Sequence, residues 1–236
     1  MNIIDIVIIL FILLFGVTGW HNGFIRTVIS AVGFILVFVL SFWLKNPIAE
    51  WLSLNLPFFQ FGGDFKGVTV INIVIYQLLA FVLVFILLIS IYIVAVRISK
   101  FVERILKYTI LLGLPSKILG FVAGIIEGFI VTTVVVAFLS LPVFGFDLIH
   151  ESGLKKFMLE STPIVGNMMS DTSKAIEEIM DLRDEFSSNS TKDEFNRRSL
   201  DIMLKYDIIE VDYVEKLINK GKIKIENKEE ILNKYR

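Results

Sequence analysis

ILGFVAGIIEGFIVTTVVVAFLSL, residues 118–141, carries a single formal charge, Glu127, in 24 consecutive positions. As a helix rising ~1.5 Å per residue, such a run reaches about 36 Å, enough to cross ~30 Å of hydrocarbon. Pro142 stops it. Three further apolar runs precede it. Ile3–Val17 is charged only at Asp5, a second run extends over 24–44, and a third, 68–96, has no formal charge at all. The fold class this predicts is all-α: a four-helix polytopic membrane protein with an interfacial amphipathic helix and a mostly helical soluble C-terminal tail.

Composition agrees with that reading. Of the 236 residues, 55% are hydrophobic and mean hydropathy is +0.74, a balance that needs lipid as solvent. The bilayer is thus the first expected partner. Net charge is −1, with 8 Lys+Arg against 5 Asp+Glu in 1–141 and 15 against 19 in 142–236. Neither part has the clustered basic face that tracks phosphates, so nucleic acid is not expected as a partner. Cysteine is absent, which removes disulfides, thiolate nucleophiles and cysteine metal sites. No basic stretch or small-residue cleavage site frames the first run, so it reads as a span and not as a cleaved signal.

The predicted organisation is a four-span module over 1–141 and a soluble helical region over 142–236. The spans are set at 3–19, 24–44, 68–96 and 118–141. Gly16, Gly19 and Gly23 mark a brief turn that should make the first two helices a tight hairpin. Residues 45–67, rich in Pro, paired Gly and aromatics, read as a loop against the bilayer surface. In RISKFVERILKY, Arg97, Lys100, Arg104 and Lys107 take one side and Ile98, Phe101, Val102 and Ile105 the other, which predicts an amphipathic helix over 97–109 adsorbed to anionic headgroups. Thr191 and Glu194 form a capping-box pattern at the start of a tail helix, and SSNS at 187–190 reads as a linker. The basic residues between helices three and four set the orientation: by the positive-inside rule that connection is cytoplasmic and both termini face outward.

Two features stand out for function. Gly120, Gly124 and Gly128 repeat at i+4 along one face, a spacing that lets helix backbones approach closely. The neighbour they pack against is either another helix of this chain or a second copy, giving a homo-oligomer through helix four. Glu127 lies near mid-span, where a charged side chain is costly. It is either a neutral carboxyl hydrogen-bonded to Asn72, Tyr76 or Gln77, or a protonatable group on a solute or proton path. Asn72 and Gln77 complete this candidate intramembrane polar site. His21 and His150 are the only histidines, and no P-loop, GxGxxG, GxSxG or HExxH pattern occurs. No catalytic residue, metal or cofactor is therefore predicted.

The start MNIIDIVIIL, the turn GWHNGFIR, the amphipathic stretch before GLPSKILGFVAGIIEGFIV and the order of four spans resemble the colicin V production membrane protein family over about residues 1–141. Asp5, Gly19, Gly23, Leu114-Pro115 and the Gly120/Gly124/Gly128 ladder carry the resemblance. It implies a bacterial plasma membrane protein named for a requirement in producing or exporting a peptide toxin, and it brings no catalytic residues with it. That family often has basic residues where His21, Asn22 and Glu127 stand here. Similar four-helix units anchor extracytoplasmic serine proteases, but this tail is too short to be one. The leading expectation is a non-enzymatic scaffold or accessory factor for toxin production or export or for envelope maintenance, with the tail binding a protein partner. The alternatives are a small proton-coupled transporter or channel subunit using Glu127, and a membrane anchor that regulates a partner enzyme.

Overall fold

The computed structural model describes residues 3–60, 69–106, 114–141, 152–186, 192–225 and 228–236, with the side chains at 98–106, 183–186 and 192 excepted. Among the described residues there are helices and no strands: α1 (Ile3–Asn22), α2 (Phe24–Asn55), α3 (Val70–Leu106), α4 (Leu114–Leu139), α5 (Gly153–Ser161), α6 (Pro163–Phe186), α7 (Lys192–Lys205), α8 (Val211–Asn219) and α9 (Lys228–Lys234). Four of them, α1, α2, α3 over Val70–Arg97, and α4, are long and apolar enough to cross a membrane. The chain is an all-α membrane protein.

Four boundaries differ from the sequence expectation. Helix α1 runs past the expected end at 19 to Asn22, with Gly16 and Gly19 inside it and only Gly23 left to turn. Pro47 does not end the second helix, and α2 continues to Asn55 through what was expected to be a surface loop. Proline removes one backbone donor, but Ala49 and Leu52, three residues apart on one helical face, bury themselves against Tyr76 and Ala80, and that packing carries the helix on. At the other end, α3 runs on to Leu106 without a break, so the stretch expected as a separate amphipathic helix continues the span. Arg97 is exposed there, while the side chains of Lys100 and Arg104, and all of Lys107, lie outside the described residues. Helix α4 starts at Leu114, with Pro115 in its first turn, where a missing N–H costs nothing. Thr191 of the capping pattern and residues 187–190 also lie outside the described residues.

By contacts the chain forms two units, and these do not follow the expected boundary at 141. The first comprises residues 1–41 and 85–169. Its centre is a seam between α1 and α4. A methyl group added at Gly19 would collide with the Gly120 carbonyl, one at Gly120 with the Gly19 carbonyl, and one at Gly124 with the Phe15 carbonyl. A Cβ at Gly128 would sit 2.6 Å from Phe15 Cβ. As α4 ascends from 120 to 128 its partners descend from 19 to 15, so the helices run antiparallel, backbone on backbone. The ladder is therefore filled from within the chain. Beyond it, Ile8 and Val136 pack with Met158 of α5. Gly23, at φ +82°, is the single residue between α1 and α2, a left-handed conformation that a side chain would strain.

Hydroxyls inside the spans turn back on their own helices. Thr18, Ser41, Ser90, Thr132, Thr133 and Ser140 each donate to the carbonyl four residues earlier, at 2.6–2.9 Å. Such bonds hide polar groups that lipid cannot satisfy.

The second unit comprises 42–84 and 170–236. Its core joins Val70 and Ile73 of α3 to Leu200, Met203, Leu217 and Ile223 of the tail. The polar contacts solve a problem of helix ends, where backbone groups lack intrahelical partners. Asn196 Oδ1, from α7, accepts from the backbone N–H of Thr69 and Val70 at 3.0 and 3.4 Å, capping α3 from 126 positions away. At the end of α2, Lys222 Nζ donates to the Leu56 carbonyl at 2.7 Å and Lys220 Nζ to that of Leu54 at 3.5 Å, cations placed where the helix dipole favours them. Lys216 pairs with Glu50 at 2.6 Å and the Tyr213 hydroxyl donates to Ser53 Oγ at 2.6 Å. Burial pushes the Tyr213 phenol up to about 12, so it stays neutral and keeps donating across the physiological range. The tail is built into a folded unit with the ends of two spans.

Candidate functional site

Glu127 stands 13 residues into the 26-residue α4, about 20 Å from its start. Ser30 Oγ, on α2, donates to Glu127 Oε1 at 2.5 Å. The Ser30 carbonyl accepts in turn from the Tyr92 hydroxyl of α3 at 3.1 Å. Tyr92 gets this close because Gly33, one turn along from Ser30, has no side chain: a Cβ there would strike the Tyr92 ring. One carboxyl, one hydroxyl and one phenol from three helices thus meet inside the first unit, each half-buried. The arrangement holds α2, α3 and α4 together by polar contacts, and it leaves a carboxyl at mid-span that can hold a proton.

The site residues expected from sequence are not all brought together. Asn72 and Gln77 belong to the second unit and are satisfied there. Asn72 pairs with the backbone of Phe59 in both directions, at 2.7 and 3.2 Å, and Gln77 accepts from Lys45 Nζ at 3.0 Å while donating to the Ile208 carbonyl at 3.2 Å. Tyr76 donates to the Pro57 carbonyl at 2.7 Å. The partner of Glu127 is Ser30, whose carbonyl in turn accepts from Tyr92. Counting along the chain would have shown this: Asn72 is two residues from the start of α3, about 3 Å along its axis, far too near the helix end to meet a mid-span group. Asp5 is also accounted for. It is buried and accepts from Ser152 Oγ at 2.6 Å and from Leu154 N at 3.5 Å, so it helps cap α5.

Helix α5 and the start of α6, both in the first unit, meet at a sharp bend at Thr162. The bend is so tight that a Cβ on Gly166 would collide with the Leu159 carbonyl. Phe157 meets Phe129 edge-on, with ring centroids 6.0 Å apart. The bend and the α2/α4 groove frame a half-open pocket of about 270 Å³, lined among others by Phe34, Phe38, Ile126, Ile130, Thr162 and Val165. Ile126 and Ile130 flank Glu127 in sequence, and Phe34 is one turn beyond Ser30.

A family model described as Colicin V production protein matches residues 4–163. The chain belongs to the colicin V production protein family. Its matched part starts in α1, takes in the whole α1/α4 seam, the Ser30–Glu127 pair and α5, and ends at the first residue of α6, so α7, α8 and α9 lie beyond it. No curated protein and no solved structure matches the chain. The family name ties this membrane module to toxin production, and the family is not a known enzyme family. Among the described residues, no group of three or more His, Asp or Glu side chains is placed to hold a metal ion.

Proposed function

We propose that the protein is a non-enzymatic module of the bacterial plasma membrane that assists the production or export of a peptide toxin, or envelope maintenance, as a scaffold or accessory factor. The observation that carries this reading is the α1/α4 seam within the family-matched region. Two antiparallel spans in backbone contact along three helical turns make a fixed platform, and its mid-span carboxyl already has a partner in the same chain. Glu127 then serves as a structural acceptor. A second reading, a small proton-coupled transporter, has the mid-span position of the Ser30–Glu127 pair in its favour.

Two substitutions separate the readings. On the scaffold account, Glu127→Gln keeps an acceptor for Ser30 and leaves toxin export at the wild-type level, whereas Glu127→Leu lowers stability in detergent by about 1–2 kcal/mol, the upper part of the range for interhelical bonds in membranes. Export lost in Glu127→Gln, with membrane level and melting temperature unchanged, would establish the proton-coupled reading instead.

The orientation belongs to the same proposal: the α3–α4 connection in the cytoplasm, both termini outside. Its support is the basic cluster from Arg97 to Lys117. Because the chain has no cysteine of its own, single substitutions report cleanly. In intact cells an impermeant thiol reagent should label Asp193→Cys and spare Lys117→Cys. Labelling of Lys117→Cys alone would reverse the orientation.

A further inference from the structure

We propose that α5 is a re-entrant helix whose outer side admits water from the tail side of the membrane to mid-span depth in the first unit. The argument starts from depth. Ser152, at the start of α5, is tied to Asp5 near the beginning of α1. Six residues later Met158 packs with Ile8 and Val136, and Phe157 reaches Phe129, which lies ten residues before the end of α4. Ten residues of helix are about 15 Å. The bend then meets Ile126 and Ile130, at the level of Glu127. Over its nine residues α5 thus runs back down beside the span that precedes it, to mid-span, where α6 begins.

At that depth α5 presents groups that hydrocarbon does not accept. Lys156 and Glu160, 3.9 Å apart, have side chains 84% and 67% exposed, and Ser161 is exposed beside them. A lysine near a helix end reaches the interface along its own stem, but the shorter Glu160 stands a turn deeper. The backbone is broken at Thr162–Pro163, and irregular backbone at membrane depth occurs only where protein buries it or a water-filled cavity lines it. Exposed charge and a broken helix together require water on the outer side of α5. On its inner side lies the apolar pocket, lined by Ile126 and Ile130 of α4. The inlet is blind in this conformation.

The test uses the cysteine-free chain of residues 1–236 in native membrane vesicles of both orientations. Glu160→Cys and Ser161→Cys should react with a charged, impermeant methanethiosulfonate from the tail side as readily as Asp193→Cys does. Leu36→Cys, 56% exposed on α2 between the cavity-lining Ile35 and Phe38, should be lost to that reagent and react only with a membrane-permeant maleimide. Reaction of Glu160→Cys and Ser161→Cys with the permeant reagent alone would overturn the proposal, and so would equal labelling of Leu36→Cys. Should either variant fail to reach the membrane, hydrogen exchange of the unaltered protein in nanodiscs decides: residues 160–164 exchange faster than 124–130 if water reaches the bend, and as slowly if it does not.

Discussion

Gly124→Leu is expected to part α1 from α4 and to give the largest loss of stability of any substitution in the four spans. Overpacking a side-chain interface costs about 1–3 kcal/mol. Here the new side chain meets the carbonyl of Phe15 and the Cα of Gly16, and backbone cannot change rotamer. The loss should therefore reach or exceed the top of that range. Thermal unfolding in detergent measures it, with Val122→Leu, on an exposed position of the same helix, as the silent comparison. Gly19→Leu should be equally harmful, and the double substitution little worse than either single one, because each already opens the same seam. An unaltered melting temperature in Gly124→Leu would mean that α4 meets α1 elsewhere.

The second large effect is expected in the tail. Leu217 is fully buried in the core that α8 shares with Val70 and Ile73 of α3. Leu217→Ala should cost about 2–5 kcal/mol, the transfer term plus the cavity left behind. Since the second unit is built from both spans and tail, the loss should appear as faster proteolysis within 192–236 and weaker protection of the Thr69 and Val70 amides that Asn196 accepts. A tail that becomes susceptible while those amides stay protected would show that α3 is capped without it.

How far the sequence could be read depends on the kind of signal. Long apolar runs gave the four spans, because the length of a helix in hydrocarbon is set by bilayer thickness. The glycine spacing on α4 announced a close approach but not its partner: Gly16 and Gly19 of α1 looked like punctuation in a turn, whereas Gly19 is the facing half of the seam. Pro47 was read locally as a stop, and only contacts with residues about thirty positions away show why the helix continues. Ser30 and Tyr92 carried no signal of their own, since serine and tyrosine are common in spans and their meeting with Glu127 depends on how three helices rotate. The return of α5 along α4 was hidden most completely. GLKKFMLES has the composition of a surface helix, and its depth follows from tertiary contacts alone.

The cap that Asn196 places on α3 has a consequence for biosynthesis. Val70 enters the membrane long before Asn196 exists, and at roughly 5–20 residues per second the ribosome needs roughly 6–25 s to make the intervening chain. For that interval the first amides of α3 have no partner from the tail, and the end of α2 waits longer still for Lys220 and Lys222. The nascent protein is thus an inserted but unfinished bundle, whose open end belongs to whichever chaperone or insertase holds it until residues 196–222 arrive.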